Sequence, residues 1–298
     1  MPERIRRAAA LIAAVAVVGV AAEVLLDAAM DWSLSDMDAY WNAALRLREG
    51  RPLYEASYSV GAHDLYRYAP WFAYAWVPLT YLPRPLVAIA WEVVLLVATA
   101  VAVAPVLARR TWTSSLVALL FGSFLLWTVA KANAQPLAVA AVVIGAQRRS
   151  GPLMIALATS LKAAPIAYIA VYIGRRDWWR VGWTLAVTAV LVAPMLLFDL
   201  SEYPAGPGLS MALFYSVSPG AWAAAALVAF AIAIWYARSR RAWLAASFAV
   251  IAAFPRLLDY DLSFLLTSAT ADGREADRRS DSSPASQASP GSKGGIGR

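Results

Sequence analysis

Long apolar stretches alternate with short charged breaks along this chain, and the breaks govern how the stretches are threaded. An α-helix needs roughly twenty apolar residues to cross a bilayer. Stretches near that length run from about Ala8 to Leu26, Pro85 to Leu107, Trp112 to Val129, Trp178 to Phe198 and Ala221 to Tyr236. Four others are shorter or interrupted: Tyr66 to Leu82, broken at Pro78; Leu137 to Ala146; Gly151 to Gly174, broken at Lys162 to Pro165; and Ala242 to Phe254. No alternating strand pattern competes with these runs, so the pattern predicts an all-α, polytopic transmembrane bundle.

Arginines lie in the breaks: Arg4, Arg6 and Arg7 before the first stretch, then Arg109 and Arg110, Arg148 and Arg149, Arg175 and Arg176, and Arg238, Arg240 and Arg241. The positive-inside rule puts all of them, and the N-terminus, in the cytoplasm. That arrangement makes Tyr66 to Leu82 an interfacial or re-entrant piece as readily as a span. It also requires Gly151 to Gly174 to fold back as two half-helices, so that both flanking arginine pairs stay inside. Three polar segments then share the outer face: a loop over residues 27–84, the turn Lys131 to Pro136, and Pro255 to Asp261. Within the loop, Ser35 and Asp38 have capping-box spacing, and Met37, Tyr40, Trp41 and Ala44 recur at helical spacing. A short amphipathic helix on the outer surface is expected, ended by Gly50 and Pro52. The membrane domain is expected over residues 1–268. Residues 269–298, rich in Ser, Gly, Arg and Asp without periodicity, are expected to be a disordered polar tail.

Composition fits the pattern. Of 298 residues, 61% are hydrophobic and 13 are Trp, which excludes an ordinary soluble domain. The net charge of +7 sits in the cytoplasmic breaks and gives no aromatic-interleaved basic face, so a nucleic-acid partner is not expected, whereas membrane lipids are. With no Cys and a single His, His63, thiolate chemistry and a Cys- or His-built metal site are excluded, and no cofactor is expected. The apolar N-terminal stretch lacks a small-residue cleavage site and reads as a retained span.

The chemistry concentrates in the outer segments. Asp27, Asp31, Asp36 and Asp38 gather with Trp32, Tyr40 and Trp41 against the bilayer surface. Carboxylates at the mouth of a membrane cavity suit general-base work on something arriving from the lipid; equally, Asp36 and Asp38 in the first turn of a helix complement its dipole. Lys162 falls eleven residues after Gly151, about 16 Å of helix, near mid-bilayer, where a charge is costly and is either functional or braced by a broken-helix carbonyl. Arg67, Lys131 and Arg256 are further outer cations, and Asp259 and Asp261 belong to an acceptor site or pair with Arg256. Tyr40, Trp41, Tyr66, Tyr68 and Trp71 either stack on sugars or form the aromatic belt of a membrane interface. Glu92, within a span, receives no role.

Taken in order, the segments Asp36 to Ala44, Gly50 to Tyr54 and Tyr66 to Pro70 resemble the first outer loop of the family 87 glycosyltransferases, GT-C-type membrane enzymes that use polyprenyl-phosphate sugars, often mannose. Asn133, Gln135 and Pro136, then Lys162 and Pro165, then Pro255, Arg256, Tyr260 and Asp261 are similar to later motifs of the family. The resemblance runs from about Ala8 to Leu266. Ala132 stands where the family pattern has Gly, and the chain lacks the further spans that follow the Tyr-Asp segment in relatives, so a C-terminally truncated member is expected. The resemblance implies Asp36 as catalytic base. Asp38, Tyr40, Arg67, Tyr68, Asn133, Gln135, Lys162, Arg256, Tyr260 and Asp261 are the implied substrate-binding residues, with no metal. It implies transfer of a hexose, mannose first, from a polyprenyl-phosphate donor to a lipid-linked or glycan acceptor on the outer face of a bacterial inner membrane, with inversion. The alternatives are a lipid or solute transporter or flippase, in which the acidic loop and Lys162 move a charged substrate, and an inactive truncated relative.

Overall fold

A computed structural model of the chain describes residues 26, 34–54, 65–201, 203 and 213–272. Nearly all of the expected first span, Asp27 and Asp31, His63 and residues 273–298 lie outside the described residues. Those described are helical throughout, without strands. Among the described residues, four helices are long and apolar enough to cross a membrane: Arg84–Leu107, Trp112–Val129, Trp178–Leu197 and Pro219–Tyr236.

Helix α1, Ser35–Arg48, differs from expectation at its start. Leu34 is the N-cap and makes no side-chain cap, so Ser35 and Asp38 form no capping box; Asp38 instead pairs with Arg84 at 2.5 Å. An ion pair to a different helix competes successfully with a local cap that is worth about 1 kcal/mol. The helix ends as expected. Gly50 takes a left-handed φ of 69°, Gly50 N–H donates to Leu47 O and Arg51 N–H to Arg46 O, a Schellman turn that glycine makes at least cost. Nor does α1 lie on the surface. Met37, Ala39, Tyr40, Ala43, Ala44 and Arg46 are buried, because α2, Pro70–Trp76, and the 3-10 turn Val77–Tyr81 pack over it. Pro78 lacks the N–H that would extend α2, so this stretch is a short cover of the site and not a span.

The chain continues through α3 (Arg84–Leu107), α4 (Trp112–Val129), α5 (Gln135–Gly145) and α6 (Gly151–Leu161). A 3-10 turn, Ala164–Tyr168, leads to α7 (Ile169–Gly174). Then come α8 (Trp178–Val192), α9 (Leu213–Val217), α10 (Pro219–Tyr236) and α11 (Ala242–Ala252). A last 3-10 turn, Asp259–Phe264, runs into α12, residues 265–272.

Hydrogen bonds tie the arginine breaks into one end of the bundle. Arg175 Nε donates to Ala237 O at the end of α10, and Arg238 Nε donates to Gly174 O at the end of α7, so each helix is capped by the other's arginine. Gly174 permits that approach: a Cβ there would overlap the Ile234 carbonyl and Ala237 Cβ. The Tyr172 hydroxyl lies against Gly151, so α6 begins where α7 ends and the Gly151–Gly174 stretch is the expected hairpin, with Lys162 at its turn. Arg109 donates to Thr270 O and Gln147 to Ala271 O, and the Asp272 carboxylate accepts from Trp243 N and Leu244 N. Thus α12 returns to the arginine end, and residues 269–272 are ordered helix rather than the start of a polar tail.

Helices α5, α6 and α11 have 11 residues each, about 16 Å of helix, whereas α4, which leads from the same end to the turn before α5, has 18. The residues at their far ends form a floor opposite the arginine end.

Candidate functional site

On that floor, segments far apart in sequence meet at the turn between α4 and α5. Ala132 adopts a left-handed φ of 55°, a conformation that glycine takes at least cost. The turn presents its backbone outward: Lys131 O accepts from Asp36 N at 3.1 Å, Ala132 O from Trp91 Nε1 at 2.9 Å, and Ala134 N donates to the Tyr40 hydroxyl at 3.0 Å. Asn133 Oδ1 accepts from Gln135 N, and Gln135 Nε2 reaches Tyr260 O and Ser263 Oγ, which fixes the Asp259–Phe264 turn beside it. Gln135 Oε1 is buried without a partner.

Above the floor, Lys162 closes α6 with its ammonium between two rings, 5.7 Å from the Tyr68 centroid and 5.4 Å from that of Tyr260. Asp261, Asp36, Arg256 and Arg67 are all within electrostatic reach of it. Burial and then neighbouring Arg256 lower the Arg67 pKa from its ordinary value. Among the described residues the side chains of Lys162, Arg67 and Arg256 make no ion pair or hydrogen bond, and Arg256 Nε is buried without an acceptor. Three mutually repelling cations held this way form a site suited to an anion with several oxygens.

The two carboxylates of the site differ. Asp261 is 2% exposed, and its Oδ2 accepts from Leu258 N at 2.9 Å. Burial pushes its carboxyl up to about 6, against the opposing pull of Lys162. Asp36 is only partly buried, in the first turn of α1, and its charge reaches the Tyr40, Tyr68 and Tyr260 hydroxyls. Burial first, and then nearby charge that includes Asp36, holds the Tyr40 and Tyr68 phenols well above their usual range, so both stay protonated donors. Asp36 is therefore the more accessible of the two carboxylates, while burial and the bond from Leu258 N hold Asp261 in place.

Not every expected residue faces this space. Tyr40 is fully buried and bonds the Tyr68 hydroxyl at 2.9 Å, so it positions Tyr68 and does not itself face a ligand. Asp38 is engaged by Arg84, and the Asn133 side chain accepts from Gln135 N beside the Ala134 N-cap of α5. Lys131 is exposed over Trp127, away from the cluster. Asp259 accepts from Tyr260 N, and among the described residues neither Asp259 nor Asp261 forms the expected pair with Arg256. Tyr66 is 1% exposed and cannot serve as a sugar platform.

The pattern of residues did not reveal a clamp around Arg67. Three successive carbonyls each accept a tyrosine hydroxyl: Arg67 O from Tyr203 at 3.1 Å, Tyr68 O from Tyr54 at 2.9 Å, and Ala69 O from Tyr66 at 2.8 Å. Tyr203, in the loop after α8, is thus tied to the backbone that presents Arg67 and Tyr68. Its only sequence signal is one more tyrosine among thirteen. Tyr203→Phe keeps the ring against Tyr54 and removes the bond. The expected result is a KM for the donor raised about fivefold, for roughly 1 kcal/mol, with turnover and thermal stability nearly unchanged; a detergent melting curve alongside steady-state kinetics checks both.

Residues 66–205 match the model of glycosyltransferase family 87. That stretch is similar to family 87. The family match takes in Arg67, Tyr68, Asn133, Gln135, Lys162 and Tyr203, while Asp36 and the Arg256–Asp261 segment flank it on either side. No curated protein and no solved structure matches the chain. Family 87 and the four spanning helices together support a membrane glycosyltransferase.

Proposed function

We propose that this protein moves a hexose, mannose first, from a polyprenyl-phosphate donor to an acceptor hydroxyl on the outer face of a bacterial inner membrane. The observation that carries this reading is the convergence of Arg67, Lys162 and Arg256, without ion pairs among the described residues, around the partly exposed Asp36. A donor that travels in the lipid suits a site set among apolar helices.

In the proposed step the acceptor oxygen attacks the anomeric carbon as the bond from that carbon to the phosphate oxygen breaks. Its proton passes to Asp36, and the electron pair of the broken bond leaves with the lipid phosphate. The cation cluster meets the negative charge gathering on that phosphate. A single displacement inverts the anomeric carbon. Asp261 offsets part of the cluster's charge, and the rings of Tyr68 and Tyr260 hold the Lys162 ammonium by cation–π attraction. The ionisable groups gather at one level instead of forming the chain across the bundle that a pump needs.

Membranes containing the protein, given radiolabelled polyprenyl-phosphate mannose, are expected to transfer label to endogenous acceptor, and to transfer none from a nucleotide sugar when polyprenyl-phosphate synthesis is blocked. Failure of the wild-type protein to use any polyprenyl-phosphate hexose would overturn the proposal.

A further inference from the structure

A second site lies at the arginine end, far from the cation cluster and independent of the donor reading. Between the starts of α6 and α8 is an open groove of about 560 Å³ whose lining passes along the helices from charged to aromatic to aliphatic residues. Arg149, just before α6, and Arg180, in the first turn of α8, stand at its mouth. Trp179 and Trp183 follow, and Leu153 and Val187 line the part farther from the charged end. Seven residues separate Arg180 from Val187, about 10 Å of helix, which matches the descent from a phospholipid's phosphate to the upper part of its acyl chain.

The polar groups at the mouth are not used up by the protein. Among the described residues Arg149 makes no ion pair or hydrogen bond, and neither do the indole N–H groups of Trp179 and Trp183. Trp179 is 73% exposed and Trp183 48%, set edge to face at 5.5 Å, so their rings offer uncovered aromatic surface where a membrane interface would lie. Arg180 lies 5.5 Å over the Tyr172 ring, with its Nε 3.3 Å from Asp177 Oδ2, a pairing that fixes the guanidinium at the rim.

We propose that this groove binds one anionic phospholipid: the phosphodiester between Arg149 and Arg180, the indole N–H groups on phosphate or ester oxygens, and one acyl chain along Trp183, Leu153 and Val187. Charge selects the class, since two arginines face a single carboxylate, Asp177, and an overall negative headgroup is the complement. The aliphatic depth of the groove selects a lipid over free phosphate.

The test uses full-length protein purified in a neutral detergent. Phosphatidylglycerol, phosphatidylcholine and inorganic phosphate are compared by thermal unfolding and by retained lipid in native mass spectrometry. Phosphatidylglycerol is expected to raise Tm and to remain bound at one copy, with neither control doing so. Arg149→Gln is expected to weaken that retention about fivefold, whereas Arg110→Gln, at the same end but outside the groove, leaves it intact. Equal stabilisation by phosphatidylcholine, the same shift with inorganic phosphate alone, or retention unchanged by Arg149→Gln would each overturn the assignment. Should Arg149→Gln fold poorly, Trp183→Leu, which keeps the groove apolar but removes an indole donor, is expected to lower retention of phosphatidylglycerol without affecting the wild-type Tm in detergent alone. Unchanged retention in that variant also counts against the site.

Discussion

Asp36→Asn is expected to lower hexose transfer by about 10²- to 10⁴-fold, the usual range for loss of a general base, while the KM for the donor changes little. The substitution keeps side-chain size and leaves the Asp36 N–H on Lys131 O, so α1 stays anchored to the α4–α5 turn. What it removes is the proton acceptor on the partly exposed carboxylate that faces Tyr68, Tyr260 and Lys162. Asp38→Asn is the informative companion. It weakens the pair with Arg84 and is expected to cost some stability and much less turnover. Transfer per mole of folded protein, measured with saturating donor, separates the two; near-normal turnover in Asp36→Asn would return this residue to a helix-dipole role.

Lys162→Met is the second large effect. A hydrogen bond to a charged group contributes about 1.5–3 kcal/mol, so the donor KM is expected to rise roughly ten- to a hundredfold. The apolar stem remains to fill the space between Tyr68 and Tyr260. Lys162→Arg keeps the charge and is expected to recover part of the loss; Arg256→Lys gives up whatever two-pronged contact the guanidinium makes and does not recover it. Unchanged donor affinity with a reduced folded yield in Lys162→Met would make this lysine a brace of the broken helix.

The parts of the fold that were legible in sequence are those written in long-range periodicity and in breaks. The spans α3, α4, α8 and α10 carry their own apolar length. The hairpin was legible because Pro165 interrupts an apolar run flanked by arginines at both ends, and one arginine end serves both flanks. Less legible were features decided by partners far away in sequence. Ser35 and Asp38 have the spacing of a cap, yet Asp38 is drawn to Arg84 on another helix. Residues 265–272 are too short and too rich in Ser and Thr to register as a membrane helix. They fold because Ser268 and Thr270 donate back to Leu265 and Leu266 carbonyls, and because Arg109 and Gln147 cap the open end. At the site, the residue types on the outer face announced acid, cation and aromatic chemistry. Which tyrosines touch ligand space and which hold backbone is set by burial alone. Tyr40 and Tyr66 are buried braces, and Tyr203 enters only through its bond to Arg67 O.

The most direct test places the donor itself. A polyprenyl-phosphate hexose carrying a photoreactive diazirine beside the phosphate, irradiated with the full-length protein and mapped by mass spectrometry, is expected to label peptides containing Arg67 and Tyr68, Lys162, and Tyr260 and Asp261, with unlabelled polyprenyl phosphate competing the label away. Label confined to the lipid-facing sides of α8 and α10, or undiminished by the competitor, would contradict a donor phosphate held by Arg67, Lys162 and Arg256.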